Sequence, residues 1–230
     1  MELGSRNQVK ELIKKGLITV NGSPCKASDR KIDEAADTVE YQGRKLTYQP
    51  FQYYMLNKPQ GVVTATRDHL DQTVMELLDD SVRKKDLFPV GRLDKDTEGL
   101  LFITNDGELA HMLLSPKRHV DKTYLVQLSK EIDDTALDRL QRGVDIGEDK
   151  PTLPAKALKI TEKLIHLTIH EGKFHQVKRM LKAVDNEVIS LKRLTFGSLK
   201  LDEGLKPGEY RVLLEDEVSN LRKDCGLQPK

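Results

Sequence analysis

The stretch GRLDKDTEGLLFITNDG, residues 91–107, decides how the rest of the chain is read. It crowds Arg92, Asp94, Lys95, Asp96 and Glu98 into seven residues and then runs straight into the apolar segment 100–104. A short apolar run bounded by charge and turn residues reads as a buried strand. The charged loop therefore sits at a strand mouth, where it either solvates a surface or holds a carboxylate at the edge of a cleft.

The neighbouring segments extend this pattern in both directions. Residues 88–90 and 53–56 read as strands, the latter ended by Asn57-Lys58-Pro59 and Gly61. Thr73 and Glu76 form a capping box that opens a helix, with Val74, Leu77 and Leu78 inward. Asp106 caps a helix carrying Leu109, Met112 and Leu113, which stops at Ser115-Pro116. A strand over 123–128, a helix over 134–142 ended by Gly143, a strand over 164–169 and a helix over 175–184 follow. Further strands are predicted at 187–194 and 210–214. The elements mix without regular βαβ alternation, which predicts an α+β fold with a largely antiparallel sheet and flanking helices.

Residues 1–48 differ in character. Ser5 and Gln8 form a capping box, Val9, Leu12 and Ile13 share one helical face, and Gly16 ends the helix. A strand at 17–20 breaks at Asn21-Gly22, a hairpin signal, and a second turn follows at Gly43. Arg6, Lys10, Lys14 and Lys15 lie off the apolar face. We expect a small separate module here and a larger domain over 52–230.

Composition narrows the functional classes. With 38 basic and 37 acidic side chains in 230 residues, total charge makes no case for a polyanionic partner. The distribution does: residues 156–193 hold nine Lys/Arg against four acids, a stripe that can steer nucleic acid. Cys25 and Cys225 are far apart and in no metal-ligand spacing. The opening residues lack an apolar signal core, and no run approaches a membrane span. The expectation is a cytoplasmic protein with no membrane association.

Three chemical readings of the charged loop compete. Asp94, Asp96, Glu98 and Gly99 match the start of a calcium loop, but Asn105 stands where a bidentate Glu is required. An Asp-x-Asp metal-diphosphate site lacks a glycine-rich phosphate cradle. A glycosidase-like acid pair needs a second working carboxylate, for which Asp96 and Glu98 are available.

The ordered series GRLDKDTEGLLFITNDGELAHMLLSP, then KTYLV, then EGKFHQVKRML resembles the successive motifs of the RsuA family of pseudouridine synthases. LGSRNQVKELIKKGLITVNG resembles the helix-strand core of the small αL RNA-binding module that precedes such domains. The family's usual first helix is missing ahead of this point, so the module is expected in shortened form, with Arg6, Lys10, Lys14, Lys15 and Asn21 toward RNA.

The resemblance implies a pseudouridine synthase-like α+β domain that isomerises a uridine in RNA: the base is detached, turned and rejoined through carbon. It implies no cofactor and no metal. Asp94 would be the working carboxylate and Tyr124 would pack on the target base, while Lys178 pairs with Asp94. Arg92 would fill the space that the flipped base vacates, and Leu191 would wall the pocket. On a helical wheel, Val177, Met180, Leu181 and Val184 make one apolar face, with Lys178 at its flank and Arg179 and Lys182 farther out, suited to phosphates. Lys173 and His175 complete the expected substrate-binding set. The segment SPKRHVDKTYLV is similar to the small-subunit branch, which makes 16S ribosomal RNA the expected substrate, naked or in assembling particles, bound by a monomer. A large-subunit enzyme and a non-catalytic RNA-binding protein are the alternatives.

Overall fold

In the N-terminal segment the expected capping box closes helix α1 (Arg6–Lys14): Ser5 Oγ accepts from the Gln8 amide, and Gln8 Oε1 accepts from the Ser5 amide at 2.7 Å. The chain leaves through Gly16 into β1 (Ile18–Val20) and turns at Asn21-Gly22 into β2 (Ser23–Pro24). Both turn residues have positive φ, 53° and 77°, as a type I′ hairpin requires. β3 (Val39–Tyr41) pairs with the other edge of β1, and Gln42-Gly43 leads to β4 (Arg44–Lys45), giving the order β2-β1-β3-β4. This computed structural model describes residues 3–34, 36–46, 50–83 and 86–228. The chain divides into two units, Met1–Pro50 and Phe51–Lys230. The expected module boundary at residue 48 and the last two residues of the expected 52–230 domain lie outside the described residues.

The larger unit is built on β5 (Tyr53–Lys58), α2 (Asp80–Arg83), β6 (Phe88–Pro89), β7 (Glu98–Thr104), α3 (Gly107–Leu114), β8 (Lys122–Leu128) and α4 (Asp134–Arg142). It continues with β9 (Lys156–Thr161), β10 (Leu164–Ile169), α5 (Gln176–Ala183), β11 (Val188–Phe196), β12 (Leu199–Lys200), β13 (Tyr210–Val212) and α6 (Glu215–Asp224). Among the described residues these form a nine-stranded sheet in the order β13-β5-β7-β11-β8-β10-β9, with β12 on β11 and β6 on β7. The pairing of β11 with β7 is parallel; the other pairings described are antiparallel. The α+β expectation therefore stands, with its mixed sheet.

β7 lies in the interior of the sheet, between β5 and β11, and is buried on both sides, which is why its sequence is a continuous apolar run rather than an alternation. Leu101 and Ile103 pack with Val126, Leu167, Val177 and Met180 on one face. Leu100 and Phe102 pack with Met55, Leu109, Phe196 and Leu221 on the other. Gly99, at φ +101°, lies against Arg193 so closely that a Cβ would collide with the Arg193 backbone carbonyl. Glycine there lets β7 cross tightly beside β11, and so fixes the charged loop next to the strand that carries Leu191 and Arg193.

The structure departs from two sequence-based expectations and adds elements that were not expected. The capping box at Thr73 opens only a single 3-10 turn, Val74–Leu77, because Leu78 is already extended (φ −89°, ψ 148°). One turn is enough to bury Val74, Met75 and Leu78. β5 does not stop before Asn57 but runs through Lys58 into the interior. β9 and α6 were not predicted at all. β9 has weak patterning, with Leu158 61% and Ile160 45% exposed. α6 has Leu214 at its N-cap, whose side chain carries no polar capping atom.

Candidate active site

The charged loop is fixed from beneath before any catalytic question arises. Lys58 is fully buried, and its Nζ donates to the carbonyls of Thr97 (2.8 Å), Pro59 (3.0 Å) and Lys95 (3.3 Å). Burial pulls this lysine down to about 8, against the opposing pull of Asp96, Asp94 and Glu98. Thr64 holds the same loop from the side: its hydroxyl donates to Leu93 O at 2.8 Å and accepts from Leu93 N at 3.1 Å. Gly61 N donates to Lys95 O at 2.8 Å. A loop with its carbonyls and amides so engaged has little freedom left.

The second wall is the start of α5. His175 occupies the left-handed region (φ 48°) at its N-cap, and the buried Gln176 locks the entry. Gln176 donates to Glu171 Oε1 (2.8 Å) and accepts from the Lys173 amide (2.9 Å). One turn later Lys178 reaches across to the loop. Its Nζ lies 3.3 Å from Asp94 Oδ2 and 2.6 Å from Asp96 Oδ1. Burial opposes the charge on Lys178, but the carboxylates of Asp96 and Asp94 outweigh it and raise its pKa. The hydrogen bonds from Lys178 hold Asp96 below the usual carboxylate range. His175 Nε2 is 3.5 Å from Asp94 Oδ1.

Asp94, His175, Gln176 and Lys178 line a cleft of about 930 Å³, together with Arg92, Tyr124, Leu191, Lys122 and Arg193. Tyr124 and Leu191 are buried at 7% and 6% exposure, on adjacent strands. Arg92 is exposed on the loop, and among the described residues no ion-pair partner meets it. The expected set Asp94, Lys178, His175, Tyr124, Leu191 and Arg92 is thus assembled around one cavity. Asp96, to which the resemblance gave no part, is the nearer partner of Lys178.

Other expected roles are corrected by the contacts. Arg179 does not point to solvent. Its guanidinium donates to Phe174 O (3.2 Å) and Ile146 O and pairs with Glu148 (2.6 Å), which ties α5 to the 146–148 loop. The Lys173 ammonium donates to Lys150 O at 3.0 Å and Pro151 O at 3.4 Å, so it joins loops at the cleft rim. The supposed basic stripe is not one face: Arg193 is 2% exposed, and Lys159 is paired with Glu162 at 2.7 Å. In the N-terminal unit Arg6, Lys10, Lys14 and Lys15 are exposed, with Lys14 paired to Glu11 at 3.0 Å. The Asn21 side chain is committed internally, donating to Asp37 Oδ1 (2.7 Å) and accepting from the Thr38 amide (2.8 Å). Sequence reasoning missed Lys58, Thr64 and Lys122, and it counted Arg193 as a surface cation.

Among the described residues no helix is long and apolar enough to cross a membrane, and no three His, Cys, Asp or Glu side chains cluster as metal ligands.

A family model described as RNA pseudouridylate synthase matches residues 52–183, and an S4 domain model matches residues 1–35. A mixed sheet with a carboxylate, lysine and tyrosine around one cleft, matched over more than half its length, makes this chain a member of the RNA pseudouridylate synthase family. It is 48% identical over 224 residues to a Bacillus subtilis protein named as an uncharacterized RNA pseudouridine synthase, with 96% of this chain and 94% of that one covered. It is 44% identical over 220 residues to Ribosomal small subunit pseudouridine synthase A of Vibrio cholerae, covering 95% and 94%. A crystal structure of a pseudouridylate synthase superimposes with a TM-score of 0.72 at 37% identity, over 94% of each chain.

Proposed function

We propose that this enzyme converts a specific uridine of 16S small-subunit ribosomal RNA to pseudouridine, with Asp94 as the carboxylate that works at the sugar. The observation that carries the reading is the Asp94–Lys178 pair at 3.3 Å on the wall of the cleft that also holds Tyr124 and Leu191. An ionised carboxylate there can attack or stabilise the sugar carbon while the base detaches. Lys178, 3.3 Å away, holds it in place on the cleft wall. The small-subunit assignment is supported by the 44% identity to the Vibrio cholerae protein of that name.

The remaining residues take the following parts. Tyr124 packs against the target base, an interaction worth about 1–3 kcal/mol for an aromatic ring. Leu191 walls the pocket, and His175 and Lys173 shape its rim. Arg92, exposed on the loop, enters the space left when the nucleotide leaves its stack. Residues 1–48 act as the RNA-binding module through Arg6, Lys10 and Lys15, and residues 52–230 as the catalytic domain. The enzyme works as a cytoplasmic monomer.

The isomerisation carries no group in and oxidises nothing, so it requires neither cofactor nor metal. The Lys178 ammonium already lies between Asp94 and Asp96, where a metal joining the two acids would have to sit. Asp96 also suits a glycosidase acid poorly, since a carboxylate held below its usual range does not retain a proton to donate.

Mapping pseudouridines in ribosomal RNA from cells with and without the enzyme tests the assignment. One 16S position should lose its modification and regain it on complementation. A missing site in large-subunit RNA, or none anywhere, would remove the small-subunit reading.

A further inference from the structure

Two cations in the cleft, Lys122 and Arg193, make no contact with the Asp94 carboxylate. Arg193 stands opposite Tyr124 in the register of β11 and β8, and Phe196 stands opposite Lys122. Lys122, Tyr124, Arg193 and Phe196 all line the cleft. Arg193 is 2% exposed; its Nε donates to Leu100 O at 2.7 Å, while Nη2 is buried with no partner. The Lys122 ammonium donates to Val120 O at 3.0 Å. Both charges lie over the same Phe196 ring, at 5.4 Å for Lys122 Nζ and 5.3 Å for Arg193 Cζ.

Among the described residues neither cation has a carboxylate partner. The nearest acid in sequence, Asp121, is taken by His170 at 2.5 Å and by Lys156 at 3.6 Å. Burying a cation without a counter-ion is unfavourable, and a ring face offsets only part of that loss. The crowding is felt at Lys122, where burial and then the Arg193 charge bring the ammonium down to about 8, with Asp121 opposing them only in part. A fold that places two uncompensated cations beside the tyrosine assigned to the target base is prepared for negative charge on that base. A backbone phosphate would meet cations at the rim rather than one 2% exposed.

We propose that Lys122 and Arg193 form a cationic floor that stabilises the uracil as it leaves the sugar. Lys122 donates to a carbonyl oxygen of the base, and Arg193 acts on the same charge from the layer beneath. When the C1′–N1 bond breaks, its electron pair departs with the base and spreads over N1 and the carbonyl oxygens. The charge is discharged when C5 bonds to C1′, C5 gives up its proton and N1 takes one. Fixed positive charge aimed at such a transient anion is the general means of stabilising it. The inference rests on the isomerase reading of this cleft.

The test uses single-turnover kinetics with the full-length enzyme and an RNA carrying either uridine or 4-thiouridine at the target, the thio base being the more stable anion. Lys122→Met should slow uridine isomerisation about 100-fold while changing the RNA dissociation constant only slightly. With 4-thiouridine the deficit should shrink several-fold, because a better leaving group needs less help. Arg193→Gln should behave in the same way and Arg193→Lys should recover most of the rate; if Arg193→Gln misfolds, Lys122→Met decides alone. An equal deficit on both bases, or a loss confined to RNA affinity, would overturn the proposal. Failure of the isomerase reading looks different: the unmodified enzyme would then form no pseudouridine on either RNA.

Discussion

Replacing Lys58 with Met removes the clamp under the charged loop without changing side-chain length much. Three carbonyls, of Pro59, Lys95 and Thr97, lose their donor. Each unmet carbonyl costs about 1–3 kcal/mol. Against this, Met no longer has to hold a buried ammonium: the fall from 10.5 to about 8 corresponds to about 3 kcal/mol at ~1.4 kcal/mol per pKa unit. The difference is a net loss of about 2 kcal/mol at neutral pH. The pH dependence gives a sharper signature. Lys58 titrates lower in the folded chain than in the unfolded one, so between pH 8 and 10.5 the unfolded state binds more protons. Stability of the wild type therefore rises through that window by up to about 3 kcal/mol from this group. The Met variant lacks the rise, so the gap between the two proteins widens with pH. Urea unfolding of both at pH 7, 8, 9 and 10 measures it. The variant should also lose about 10- to 100-fold in turnover, since a loop displaced by an ångström misplaces Asp94. Equal stability with parallel pH profiles would refute the clamp.

Other perturbations separate the roles around Asp94. Lys178→Met should reduce single-turnover rate about 10- to 100-fold, while Asp96→Asn should lose less than about 5-fold because Lys178 can then serve Asp94 alone; quench-flow assays on a target oligonucleotide would show both. Lys182→Glu should flatten the salt dependence of RNA binding by about 0.7 in log–log slope at unchanged melting temperature. Arg179→Met should instead lower the melting temperature, since its guanidinium holds Ile146, Phe174 and Glu148. Activity on an unstructured RNA should survive exhaustive removal of divalent ions, and restoration by one specific ion would reinstate a metal-binding reading of Asp94 and Asp96.

What the sequence made legible was whatever local patterning controls. α1 follows from Ser5 and Gln8, the end of α4 from Gly143, and β7 from an apolar run that only an interior strand can bury. The place of Asp94 at the cleft was legible because its motif is contiguous, and that of Lys178 because it flanks an apolar helical stripe. Lys58 was not, since a lysine beside a proline signals a turn, and only the fold shows that its ammonium turns inward onto carbonyls 37 and 39 residues away. Arg193 was misread for a similar reason: within a run of basic residues nothing marks the one that the β7–β11 crossing encloses. The outward reading of Arg179 failed because helical angle fixes direction but not the loop waiting there. The assignment of Asp96 needed the distance between α5 and the loop, which spacing along the chain does not contain.

The central claim is that Asp94 performs chemistry on a uridine that the enzyme can otherwise still bind. Asp94→Asn keeps the size and hydrogen-bonding capacity of the side chain and removes its charge. The direct measurement is pseudouridine formed per enzyme on the target RNA, alongside the dissociation constant of the same RNA. The account predicts product below detection with binding within a few-fold of wild type. Pseudouridine formation by Asp94→Asn near the wild-type rate would contradict it.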